Sequence, residues 1–131
     1  MKVAIVMGTR PEIIKMSSLI KLLNSKNSSI IFTGQHYDYN MSIQFIKELG
    51  LRKPDYMMRL TKLQNTTTDR ATQIGEIVLN LAKIISKLEP DTVVVQGDTN
   101  TVLAAAITGI KCGIPVSHLE SGLRSNDWRM P

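Results

Sequence analysis

The chain has 131 residues, 43% apolar and 21% charged, the balance of one ordinary globular domain rather than a disordered or fibrous chain. One cysteine, Cys112, excludes an internal disulfide and a multi-cysteine metal site. The net charge of +5 comes from 16 Lys and Arg against 11 Asp and Glu, spread along the chain, with only one Trp, three Tyr and two Phe. That spread lacks the clustered cations and interleaved aromatics of a nucleic-acid surface. It fits a mixed basic surface, and it also fits a basic cleft for an anion such as a nucleotide diphosphate. No run approaches the ~20 apolar residues of a membrane span, and Met1–Gly8 has no signal-like apolar region, so a cytoplasmic protein is expected.

The elements follow in chain order. Lys2 to Met7 is apolar and β-branched and stops at Gly8, which predicts a buried strand. Pro11 to Asn24 carries Ile13, Met16, Leu19, Ile20 and Leu23 at helical spacing. Thr9 and Glu12 have the spacing of a capping box. Arg10, however, precedes a proline and is biased away from helical geometry, so Arg10 is expected as the cap with Pro11 at the first helical position. Ser29 to Thr33 predicts a second strand, Met41 to Leu49 a short helix, and Asp55 to Arg59 an edge-like third strand.

Thr66 to Asp69 offers several cap candidates for a long helix ending at Leu88, before Pro90. Ala71, Ile74, Ile77, Val78, Leu81, Ile84, Ile85 and Leu88 share one of its faces. A strand over Thr92 to Gln96 leads to a helix from Thr99 to Cys112. That helix is apolar nearly all round and is expected to be buried. Val116 to Leu119 forms the last strand, followed by a polar, turn-like stretch where a domain of this class would ordinarily continue. Strand and helix alternate throughout. This predicts an α/β fold with a doubly wound, mostly parallel sheet of about five strands.

The loops at the strand ends carry the candidate chemistry, because ligands of open parallel sheets bind beyond the carboxyl ends of the strands. The first loop, Gly8-Thr9-Arg10-Pro11-Glu12, has one glycine where a dinucleotide fold would place three. NAD binding is therefore disfavoured. Arg10 beside a helix N-terminus suits an anion, but it can equally pair with a nearby acid and order the loop.

Gln35 and His36 close the second strand and suit a ligand's hydroxyls or phosphates, although a turn histidine is more often simply a surface residue. His118 lies within a strand and reads as a hydrogen-bonded core residue. In Gln96-Gly97-Asp98-Thr99, Gly97 allows close backbone approach, and either Asp98 or Thr99 can cap the next helix. Glu120 leaves a strand toward Ser121-Gly122 and is not a preferred cap or turn residue. Asp98 and Glu120, delivered by successive strands, make a pair able to move protons.

Gly8-Thr9-Arg10-Pro11-Glu12, Gln35-His36, Gly97-Asp98-Thr99 and His118-Leu119-Glu120-Ser121-Gly122-Leu123-Arg124 occur in the order and rough spacing of one family. The chain resembles the non-hydrolysing UDP-N-acetylglucosamine 2-epimerases over all 131 residues. Ser121 stands where that family usually has Ala, and Asn126 to Pro131 is similar to its stretch leading into a Pro-Glu-Glu motif.

The resemblance implies the front part of the N-terminal, Rossmann-like domain of a glycosyltransferase-B architecture. It also implies interconversion of UDP-N-acetylglucosamine and UDP-N-acetylmannosamine by elimination and re-addition of UDP through a 2-acetamidoglucal. No cofactor or metal is implied, and a homodimer is implied at full length. Asp98 and Glu120 match two of three catalytic carboxylates, and Arg10, Gln35 and His36 fall to substrate binding. Gln35 also matches a residue of a regulatory UDP-sugar site in some members, a pattern from which Asp38 departs.

The third carboxylate would follow Pro131, and the second, UDP-binding domain lies outside these residues. The 131-residue chain is therefore expected to be an incomplete N-terminal domain, inactive alone. A two-chain enzyme, with an exposed apolar edge at the last strand, is one alternative. A non-catalytic module that keeps Arg10 and Gln35 to bind UDP-sugar is another.

Overall fold

The computed structural model describes residues 1–35, 39–61, 66–124 and 126–127, so His36 lies outside the described residues. The elements are β1 (Val3–Met7), α1 (Arg10–Leu22), β2 (Ser28–Phe32), α2 (Tyr39–Glu48), β3 (Tyr56–Met57), α3 (Thr67–Leu88), β4 (Thr92–Gln96), α4 (Asn100–Lys111) and β5 (Val116–Leu119). The strands form one sheet in the order β3-β2-β1-β4-β5, and every pair is parallel. This is the doubly wound α/β sheet expected from the alternation. From β1 the chain winds outward through β2 to β3, then α3 carries it back to lay β4 against the other side of β1. The order thus reverses between β1 and β4, the usual place for a ligand crevice.

Alternation along the strands sorts the core into two layers. Val3, Ile5 and Met7 of β1, Ile30 and Phe32 of β2 and Val94 of β4 pack with Ile13, Met16 and Ile20 of α1 and Ile46 of α2. Ala4, Val6, Ile31, Val93 and Val95 face the opposite way, onto Ile77, Leu81 and Ile85 of α3 and Val102, Ala104 and Ala105 of α4. A parallel sheet covered on both faces needs strands that are apolar on both sides; β1 is buried at every residue.

Three local expectations are corrected. The cap of α1 is Thr9, extended at φ −131° and ψ 160°, and Arg10 is already helical. The pre-proline bias of Arg10 loses because the Glu12 carboxylate accepts the N–H groups of Gly8 and Thr9. Helix α4 is buried only toward the sheet and α3: Leu103, Ile107 and Ile110 are 50%, 38% and 68% exposed on its outer face, over which no described element packs. His118 is hydrogen-bonded, through Nε2 to the Gly97 carbonyl at 2.6 Å, but it is exposed, since β5 is an edge strand. Cys112 is likewise exposed, at the C-cap of α4. No described helix is long and apolar enough to cross a membrane.

Gly8 shows how tightly the loops meet at the switch point. A Cβ there would lie 2.2 Å from Thr33 Oγ1 and 2.3 Å from Thr101 Oγ1. Those hydroxyls are bonded to each other at 2.8 Å, and Thr101 Oγ1 also donates to Gln35 Oε1 at 2.7 Å, so neither moves freely. Gly8→Ala is expected to destabilise the chain by about 1–3 kcal/mol, the usual cost of overpacking, measured by chemical denaturation.

Candidate active site

Three segments converge at the carboxyl edge of the sheet: the β1–α1 loop with the first turn of α1, the β4–α4 loop, and the residue after β5. Between them lies an open cleft of about 200 Å³, walled by Glu12, Lys15, Gln96, Asp98, Thr99 and Glu120 among others. Asp98 and Glu120, expected as a pair, enter the same cleft. The β4–β5 register brings them there: Gln96 lies opposite Leu119, and the Gly97 N–H continues the ladder to the Leu119 carbonyl at 3.1 Å.

The choice between Asp98 and Thr99 as helix cap is resolved in favour of Thr99. Its Oγ1 accepts the Val102 N–H at 3.3 Å. Asp98 is exposed, and among the described residues its carboxylate has no capping bond to make. Gly97, at φ +85°, supplies the left-handed turn that swings Asp98 off the end of β4.

Glu120 has φ +62°, a left-handed conformation that costs a non-glycine residue about 1–3 kcal/mol and gathers at functional sites. Its Oε2 lies 2.6 Å from Lys15 Nζ and accepts from Gln96 Nε2 at 2.5 Å. The ammonium of Lys15 is the main cause holding the Glu120 carboxyl below its ordinary value of 4.5. Both partners are well exposed, at 48% and 35%, so the pair adds little to the stability of the fold.

Glu12 is the opposite case. It is 2% exposed, and burial pushes its carboxyl above 4.5 against the pull of donors from Thr99, Gly8 and Thr9.

The other expected site residues are placed differently. Arg10 lies with its guanidinium 5.8 Å from the centre of the Phe45 ring of α2, a cation–π contact, and it is not in the wall of the cleft. Gln35 spends its side-chain oxygen on the Thr101 N–H at 2.9 Å and hydroxyl at 2.7 Å, fastening the end of β2 to α4. Gln73 reaches the Gln35 carbonyl at 3.2 Å and accepts from Asn100 Nδ2 at 3.0 Å.

Glu12, Lys15 and Gln96 were not singled out from the sequence as site residues. Lys15 carried a signal: it lies one helical turn after Glu12, on the face that a capping carboxylate turns toward the loops. Gln96 is the polar end of an otherwise apolar strand. No group of three or more His, Cys, Asp or Glu able to hold a metal occurs among the described residues.

Lys15→Met should raise the Glu120 pKa toward 4.5, read by NMR titration of the side-chain carboxyl; an unchanged value would contradict the pairing. Because the folded value is depressed, whatever stability the pair adds is present above pH 4.5 and lost as pH falls through the Glu120 pKa. The variant should lose that part of the acid dependence.

Residues 21–131 match the family described as UDP-N-acetylglucosamine 2-epimerase. The chain is 46% identical to the UDP-N-acetylglucosamine 2-epimerase of Methanococcus maripaludis, a likeness covering 99% of this chain and 34% of that protein. It is 38% identical to the UDP-2,3-diacetamido-2,3-dideoxy-D-glucuronate 2-epimerase of Pseudomonas aeruginosa, over 100% of this chain and 36% of that one. It also superposes on the crystal structure of Methanocaldococcus jannaschii UDP-GlcNAc 2-epimerase in complex with UDP-GlcNAc and UDP. There the TM-score is 0.89 at 44% identity, covering 100% of this chain and 35% of that one. The chain thus spans between 34% and 36% of the length of these relatives. With a family match over most of its residues and a superposition over its whole length, this chain belongs to the UDP-N-acetylglucosamine 2-epimerase family.

Proposed function

We propose that this chain forms one wall of the active site of an enzyme that inverts C2 of a UDP-linked acetamido sugar, interconverting UDP-N-acetylglucosamine and UDP-N-acetylmannosamine. The observation that carries the reading is the entry of Asp98 and Glu120 into one cleft, with Lys15 paired to Glu120. The C2 proton is alpha to no carbonyl and is weakly acidic, so its removal needs a positioned base and a good leaving group. One carboxylate takes the proton, the C–H electron pair becomes the C1=C2 bond, and the C1–O bond breaks to release UDP. The resulting 2-acetamidoglucal is reprotonated at C2 from the other face, and UDP adds back to C1.

Two proton transfers on two faces suit two carboxylates. Ionised Glu120 is the resident base, and Asp98 on the neighbouring loop serves the second face. Atoms and electrons balance with no redox step. The N-terminus of α4 borders the cleft and favours the departing diphosphate, while Arg10, at the start of α1, would have to leave Phe45 to reach it.

In this reading residues 1–131 are an incomplete N-terminal domain. The third carboxylate and most UDP contacts come from the further length that the relatives possess. The full-length enzyme is a cytoplasmic homodimer, a state that light scattering would check. A separate polypeptide supplying that length remains a second reading, favoured by the exposed edge strand β5 with Leu119 39% exposed; co-purification of such a partner would distinguish it.

The test uses the chain extended to its relatives' length, by its own downstream frame or by the rest of the Methanocaldococcus jannaschii protein. In D₂O it should put deuterium at C2 of UDP-N-acetylglucosamine and produce the epimer. Asp98→Asn and Glu120→Gln should each lower kcat by about 10²–10⁴-fold, the usual worth of a general acid or base. Absence of C2 exchange would contradict the reaction, and turnover by the 131-residue chain alone would contradict the need for the further length. The diacetamido uronate substrate named for the Pseudomonas relative is the comparison substrate.

A further inference from the structure

Glu12 is a buried acidic side chain to which the reaction above gives no task. Its Oε2 accepts the N–H groups of Gly8 at 2.5 Å and Thr9 at 2.9 Å. Its Oε1 accepts the Thr99 hydroxyl, 87 residues along the chain. Thr99 in turn caps α4. One carboxylate therefore joins the N-termini of the two helices that flank the switch point.

Capping α1 alone would not require such burial: an exposed carboxylate at the third helical position would do as well. Removing a carboxylate from water is costly unless every lone pair is used, and here the partners are drawn from both loops. The other side of the Asp98 turn is also fixed. The Gly97 N–H is bonded to Leu119 and the Gly97 carbonyl to His118, both on β5. Asp98 is thus the one residue between two clamped neighbours, Gly97 held to the strand that carries Glu120 and Thr99 held to the helix that carries Lys15.

We infer that Glu12 is a positioning residue for Asp98, tying the β1–α1 loop to the β4–α4 loop through the Thr99 hydroxyl and so fixing where the Asp98 carboxylate enters the cleft. The inference rests on the epimerase reading. Release of Thr99 is a local event, because Thr101 remains bonded to Gln35 and keeps α4 in place.

The test uses the extended enzyme and Glu12→Gln, which keeps the size of the side chain but cannot accept from all three donors. Misplacement of a reacting group by about 1 Å can cost 10²-fold, so kcat for inversion should fall by roughly ten- to a hundred-fold. Thr99→Val should lose a similar amount, Thr99→Ser should retain most of the activity, and the double variant should be no worse than the poorer single one.

Solvent exchange separates positioning from general damage. Starting from one of the two epimers, Glu12→Gln should take up C2 deuterium faster than it inverts, because proton transfer by Glu120 survives while that by Asp98 is misaligned. Multiplicative losses in the double variant, or exchange and inversion falling in proportion from both epimers, would overturn the inference. If the unsubstituted enzyme exchanges no C2 proton, it is the epimerase reading that fails. Amide exchange in the 131-residue chain then decides the clamp: Glu12→Gln should speed exchange at Val102 and not at Ile5, and an unchanged Val102 would overturn it.

Discussion

β4 pairs in parallel with β1 and not with β3, the strand before it in the chain. The return is made by α3, whose Ile77, Leu81 and Ile85 are buried against the sheet. Two loops far apart in sequence then leave the sheet side by side. The rest follows from that adjacency. Glu12 can reach Thr99 only because β1 and β4 are neighbours. Lys15 can reach Glu120 only because β5 is added on the far side of β4 and α1 leans over the same edge. Glycine at position 8 is the cost of bringing the loops this close.

Glu12 and Glu120 show how environment assigns different work to identical side chains. Glu12 is enclosed, and desolvation outweighs its hydrogen bonds. Glu120 stands near solvent with a lysine against it, which favours its charged form. The first suits a structural clamp between loops, the second a group that must be ionised to accept a proton. Gln96 holds the second in place. It is buried at the end of β4, and its amide donates to Glu120, so the strand itself orients the carboxylate.

The strands were legible because both faces of a parallel sheet are buried, which leaves runs such as Val3-Ala4-Ile5-Val6-Met7 with no polar interruption. The long helix was legible from its spacing, and the acidic pair from its place at successive strand ends. The cap of α1 is hidden in the sequence because the local steric bias at Arg10 is overridden by hydrogen bonds that Glu12 makes only once the turn has formed. Lys15 was missed because it belongs to a helix interior, and its role depends on a contact with Glu120 across the sheet edge, 105 residues away. The apolar outer face of α4 reads in sequence as core, since Leu103, Ile107 and Ile110 differ from Val102 and Ala105 only in direction. His118 could be read as hydrogen-bonded but not as exposed, because edge position is a property of strand order.

A crystal structure of the extended enzyme with a UDP-acetamido sugar bound tests the central claim most directly. The account expects C2 of the sugar to lie between Asp98 and Glu120, about 3–3.5 Å from each as near-attack geometry requires, with the two carboxylates on opposite faces of the ring. A sugar bound away from this cleft, or with both carboxylates on one face of C2, would contradict it.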